Sequence, residues 1–351
     1  GAVERDGAGQ LAVAHGDVAA QRAYQQESLA IWRALGDHLR VASCLGDLGS
    51  AAHISGDYPA ARAMYTEALE LASGAGQAQQ MARSLSGLGR LALHAGDLTA
   101  ATEYYSQSMA RFREVGDLRR ATLILGNLGV VALDQGDPVL AAARLEEHLG
   151  NARKLGDRKL IGGALTNLGM IALNAGDSDR AAALHADALG LAEQIGDRRL
   201  SAVALTNLGL TALARKDFAA ARAFHRRSLE LADAVGERRC VAESLEGIAE
   251  ADAAEGNAAR AAVLFGASRA LRAAIGSPVP GQDLVRLTEA VTATELTLGA
   301  ARFSAAQAAG QAMSAERAVA LARETSETGE TGAASDETAE ASMTCAARES
   351  S

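Results

Sequence analysis

Asn127, Asn167 and Asn207 recur at intervals of forty residues, each directly before a Leu-Gly pair. A carboxamide donates and accepts at once, so a ladder of such groups matches the alternating N–H and C=O of an extended peptide backbone. Asp47 occupies the same place earlier in the chain, and Gly87 and Gly247 interrupt the row. Around it the polarity changes: Arg83 and Arg90 flank the early part, Val130, Met170 and Leu210 the middle, and Glu243, Glu246 and Glu250 the end. Such a gradient would orient a ligand with acidic and basic ends. The structural alternatives are that the amides bond neighbouring helices and that the charges are solvated helix surface.

His185 and His225 also stand one period apart, at the position held elsewhere by Tyr65, Tyr105 and Phe265. A two-histidine metal site is conceivable, but neighbouring helices lie about 10 Å apart, too far to share one ion, and the core reading is preferred. The sequence contains no phosphate-binding GxxxxGK[ST] loop, HExxH or GxSxG motif. Cys44, Cys240 and Cys345 lack CxxC spacing and do not follow the period. Neither an enzyme, a cofactor site nor a disulfide framework is expected, and a reducing cytoplasm fits best.

The elements that carry these residues are marked by punctuation. Gly-Asp pairs at 16–17, 56–57, 96–97, 136–137 and 176–177 continue as Lys216-Asp217 and Gly256-Asn257, with a second series offset by twenty from Gly36-Asp37 to Gly276-Ser277. Glycine stops a helix in the left-handed conformation, and Asp or Asn caps the free N–H groups of the next. Lys216 should be strained there by about 1 kcal/mol. The segments between are long enough for four helical turns, and two of them make one repeat. Leu45/Leu48 and their successors form an apolar stripe on the first helix, and Ala61, Ala101, Ala141, Ala181, Ala221 and Ala261 a small-residue ladder on the second. Mid-helix Gly49, Gly89, Gly129, Gly169 and Gly209 each cost about 1 kcal/mol relative to Ala, so close packing must offset them.

Gly49, Ala61, Tyr65 and Ala68, with the same spacing in six further units, resemble a tetratricopeptide repeat. The match weakens at Gln21 in the first unit and Ala249 in the last, and the unit is forty residues rather than the family's usual length of about 34. The resemblance implies an all-α, right-handed superhelix, a solenoid whose first helices line a concave groove, in which the Asn row contacts an extended peptide. On this reading residues 1–276 are seven repeats, the first truncated, 277–323 a helical C-terminal cap, and 324–351 a disordered tail. Gly1 falls level with Val41, so an upstream neighbour is expected to cover that end. The tail carries six of the nine net negative charges and is Ser/Thr/Glu-rich.

The run from residue 260 to 322 resembles the C-terminal end of large bacterial signalling ATPases and transcriptional regulators of LuxR and SARP type. That resemblance implies a sensor domain whose parent carries an ATPase and an output module upstream. Two departures stand out: Gln307 replaces an aromatic and should loosen the cap, and no helix-turn-helix follows. The expectation is a non-catalytic sensor or interaction domain, binding a peptide, protein or effector through Asp47, Arg83, Arg90, Asn127, Asn167, Met170 and Asn207. A stand-alone scaffold is the alternative. A nearly neutral body without a basic stripe argues against direct nucleic-acid binding, and no apolar run is long enough for a membrane span.

Overall fold

A computed structural model describes residues 18–54, 56–279 and 281–324, which form sixteen α-helices; no strand occurs among the described residues. The chain divides into two compact units, residues 1–175 and 176–351. The first contains α1 (Val18–Ala34), α2 (His38–Ile54), α3 (Tyr58–Gly74), α4 (Ala78–His94), α5 (Leu98–Glu114), α6 (Leu118–Asp134), α7 (Pro138–Leu155) and α8 (Arg158–Asn174). The second contains α9 (Ser178–Ile195), α10 (Arg198–Ala214), α11 (Phe218–Ala234), α12 (Arg238–Ala254), α13 (Ala258–Ala274), α14 (Gly281–Leu298), α15 (Ala300–Gln311) and α16 (Ala315–Arg323). The truncated opening helix and the tail beyond Glu324 lie outside the described residues.

The punctuation works as the sequence predicts at most sites. Gly36, Gly56, Gly96, Gly136 and their successors all have positive φ, and Lys216 shares that conformation at φ 60°. Asp57, Asp97, Asp137, Asp177 and Asp217 each accept a hydrogen bond from the backbone N–H three residues on, at 2.9 to 3.1 Å. Three positions differ: Gln77, Glu237 and Asn257 begin helices without a side-chain cap. At Gln77 and Glu237 the longer side chain is poorly suited to fold back on its own helix.

Within each unit, consecutive helices pack in pairs, and α2 also touches α4, α6 touches α8, and α10 touches α12. The first helices of the repeats therefore meet each other as well as their partners. Their Leu and Ala stripes are buried, and so is the alanine ladder of the second helices, with Ala61, Ala101, Ala141, Ala221 and Ala261 fully inaccessible. Ser108 Oγ donates to Ala82 C=O and Ser228 Oγ to Ala202 C=O, both at 2.8 Å, so the second helix is also hydrogen-bonded to the first.

The mid-helix glycines explain themselves in this packing. A Cβ on Gly49 would lie 2.9 Å from the Tyr65 ring, and one on Gly87, from the following repeat, 2.5 Å from the same ring. His225 is held likewise: Cβ atoms on Gly209 and Gly247 would sit 2.5 and 2.1 Å from Nε2. Tyr65 and His225, each on a second helix, thus slot between glycines of two successive first helices. At Gly87 and Gly247, where the Asn row is interrupted, the Tyr65 and His225 rings fill the space a side chain would take.

The helices after the last repeat depart from the stack. The partner of α13 is α15, not α14. Their backbones approach so closely that a Cβ on Gly266 would lie 2.2 Å from Gln307 C=O, and one on Gly310 2.0 Å from Val263 C=O. The expected loosening at Gln307 is therefore not found: the side chain is buried and the two helices touch through their glycines. Helix α14, bounded by Gly281 and by Gly299 at φ 83°, lies instead against α12 and α13.

Two predictions follow from the slots. Gly247→Ala forces the buried His225 ring out of its place and should lower stability by about 2 kcal/mol or more, in the range of overpacked cores. Gly190→Ala in α9, where a Cβ meets nothing within 4 Å, should raise it by up to about 1 kcal/mol; urea midpoints of the two variants give the comparison. His225 is fully buried with neither ring nitrogen bonded, and burial, aided by the Arg286 charge, pushes its pKa from 6.5 down to about 3. Its neutral form is the folded form, so the unfolded chain takes up the proton. Stability is intact above the free value and falls as pH drops through the window between the two, by about 2 kcal/mol at about pH 4.5. His225→Phe should flatten the fall in urea midpoint between neutral pH and about 4.5.

Candidate functional site

On α2, α4, α6 and α8 about half of the residues are buried, and each helix carries part of a band of positions that stay accessible. It comprises Asp47 and Ser50 on α2, Arg83 and Arg90 on α4, Asn127 and Val130 on α6, and Asn167 and Met170 on α8. Spacing of i, i+3, or i, i+7 for Arg83 and Arg90, keeps each pair on one helix face, so the first unit carries a stripe of side chains from four successive first helices. Every candidate named from the sequence falls on it except Asn207, which lies on α10 in the second unit and is 8 % exposed.

The basic part of the stripe is internally linked. Arg83 donates to Asp47 Oδ1 at 2.8 Å, joining two neighbouring first helices. Arg90 donates to the Tyr65 hydroxyl at 3.0 Å, and that hydroxyl is 3.0 Å from Ser50 Oγ. Tyr65 is the residue sequence reasoning missed: its ring fills the slot between Gly49 and Gly87 while its hydroxyl reaches the stripe. The signal was present in its unique combination of a tyrosine with glycines on both facing positions. A ring cluster of His53, Tyr58 and His94 closes this region, with Tyr58 and His94 centroids 4.2 Å apart. Burial, with Arg90 and His94 adding, pushes His53 down to about 4.

Asn127 and Asn167 differ from this. Neither amide makes a side-chain hydrogen bond to another described residue, so the reading that these groups tie neighbouring helices together has no support in the structure. They are half-buried donors and acceptors open to an incoming chain, with Met170 and Val130 one turn on as adaptable apolar contacts.

The acidic end is not an open surface. Glu246 is buried in a bidentate pair with Arg272, at 2.6 Å to Nε and 2.8 Å to a terminal nitrogen, and also accepts from Ser268. Glu250 is paired with Arg286 of α14, and Glu243 with Arg239 at 2.8 Å. These carboxylates are consumed within the second unit, so the expected polarity gradient is reduced to its basic and amide parts. No group of three or more His, Cys, Asp or Glu side chains suited to a metal occurs among the described residues, and no described helix is long and apolar enough to cross a membrane. His148, His185 and His225 are buried with unbonded nitrogens and depressed pKa values, as core residues are.

Solved structures with this architecture share little sequence. The Rap conjugation gene regulator of plasmid pLS20, in complex with the Phr* peptide, superposes with a TM-score of 0.61 at 15% identity, covering 80% of this chain and 74% of that one. A Rap protein complexed with competence and sporulation factor gives 0.59 at 13% identity over 92% and 99% of the two chains. A signal transduction ATPase with numerous domains from Pyrococcus horikoshii, which has a tetratricopeptide repeat sensor, gives 0.57 at 14% identity; 83% of this chain is covered but only 44% of that protein. These likenesses establish the fold alone. No curated protein matches the sequence. The tetratricopeptide-repeat family model matches residues 8–73, 80–154 and 160–234, more than half of the sequence. With its paired helices, its alanine ladder and its glycine-lined slots, the chain belongs to the tetratricopeptide-repeat family.

Proposed function

We propose that the chain is a non-catalytic interaction domain that takes an extended peptide along the first-helix stripe of its first unit. The observation that carries this reading is the pair of unengaged amides, Asn127 and Asn167, on successive first helices. Each offers N–H donors and a carbonyl acceptor, the two functions a peptide backbone presents in alternation. Arg90 and the Asp47–Arg83 pair bound the stripe at one end and give a peptide's acidic groups a place to settle. The Rap regulator of plasmid pLS20, similar in fold, was captured with a peptide, which supports this ligand class.

In its parent the domain acts as the sensor of an ATPase-linked bacterial regulator, in keeping with the C-terminal resemblance and with the sensor-bearing ATPase of similar fold. Coupling to such a module requires that bound peptide favour one arrangement of the parent over another. A reading frame running upstream from Gly1 into a phosphate-loop ATPase is the expected genomic result; its absence favours a stand-alone scaffold.

For the stripe itself, a phage-displayed library of short linear peptides is panned on the full chain and the enriched peptides are measured by fluorescence anisotropy. The double variant Asn127→Ala/Asn167→Ala should bind about tenfold or more weakly, the loss of one or two hydrogen bonds, with an unchanged melting temperature. Equal affinity would show that the peptide lies elsewhere.

A further inference from the structure

The second unit holds a cleft of about 390 Å³ whose walls come from α13, α14 and the turn between them. Its apolar lining includes Phe265, Leu284, Leu287 and Val291, with Pro278 and Val279 closing one side. This volume falls in the range of small-molecule sites, which are mostly apolar with a few placed polar groups. Leu284 remains 52% exposed although it lines the cleft, so apolar surface is left there for an occupant to cover.

The polar groups are divided in a telling way. At the floor, Arg272 and Glu246 satisfy each other, and the remaining Arg272 nitrogen donates to Ser277 and Pro278 carbonyls at 3.3 Å. That pair is closed and asks nothing of a ligand. Arg269, one turn earlier on α13 and also lining the cleft, is exposed and makes no ion pair or hydrogen bond among the described residues. The other arginines of α11 and α13 are all engaged: Arg222 and Arg260 hold Asp252, Arg227 holds Glu193, and Arg226 donates to the Ala322 and Glu324 carbonyls. Arg269 is thus a cation without a counterion at the mouth of an apolar cleft.

We infer that this cleft binds a small organic anion with an aliphatic body, of the class of medium-chain carboxylates, its chain against Phe265, Leu287 and Val291 and its carboxylate on Arg269. The inference goes beyond the peptide reading and is independent of it, since it uses the other unit and a different ligand. Because α14 forms one wall and is held chiefly by the Arg286–Glu250 pair and the apolar contacts of Leu287, Ala290 and Val291, an occupant would also fix that helix.

Decanoate and decanol are titrated into the full chain by calorimetry. Decanoate should bind saturably at one site. Decanol should bind about tenfold more weakly, and Arg269→Gln should weaken decanoate to the level of decanol, the loss expected for one charge-assisted contact. Thr288→Trp, an exposed α14 position on the cleft, should fill it and abolish decanoate binding while helicity and melting stay as in the parent chain. No saturable binding, equal affinity for decanoate and decanol, or an unchanged affinity in a folded Thr288→Trp variant each overturns the assignment. The peptide measurement on the first unit stays unaffected by both variants, so failure of one reading leaves the other standing.

Discussion

The architecture depends on one steric arrangement: a bulky side chain of a second helix lodged against glycines of neighbouring first helices. Tyr65 between Gly49 and Gly87, and His225 between Gly209 and Gly247, show it most clearly. Two glycines in helical segments cost about 2 kcal/mol in propensity, and the burial of a tyrosine ring offsets a loss of that order. The slot joins three helices from two repeats, so it sets both the pairing within a repeat and the step to the next. Leu145 against Gly129 and Tyr105 against Gly89 repeat the geometry with different side chains. Leu, Tyr and His all serve, since the slot selects for volume more than for chemistry. That tolerance explains why buried histidines with no hydrogen-bond partner are accepted in the core.

The same arrangement governs which surface is free. Second helices carry their charged residues outward, where Arg113–Glu147 and Arg227–Glu193 link second helices of successive repeats at exposed sites that contribute little. First helices are enclosed on both flanks and leave only the narrow stripe. Side chains on it are held by a rigid backbone, which favours recognition by a few fixed polar groups. In the second unit the positions corresponding to Arg83 and Arg90, Glu243 and Glu250, are already engaged by Arg239 and Arg286, so the two units present unlike surfaces from like repeats.

Most of the fold was legible in the sequence, because the repeat is written in local signals. Glycines with positive φ and Asp caps act within a few residues, and a forty-residue period displays them again and again. The cap expected from Asn257 did not form, and Gln77 and Glu237 likewise open their helices without a side-chain cap. For the site, Asp47, Arg83 and Asn127 could be placed on one face from helical spacing. Their partners could not. That Arg83 is spent on Asp47, and that Glu250 meets Arg286, depends on contacts about 36 residues apart in the chain. The position of α14 was equally hidden, because it follows from the turn at Pro278 and from α15 taking the place beside α13.

The contact of α13 with α15 has a consequence for assembly. Tetratricopeptide stacks have an unfinished flank at the end of the series, where a further first helix would dock. Here Gly266 and Gly310 bring the α15 backbone onto that flank, and no side chain separates the two helices. Among the described residues, the side of α13 on which a further first helix would dock is thereby covered by a helix of the same chain.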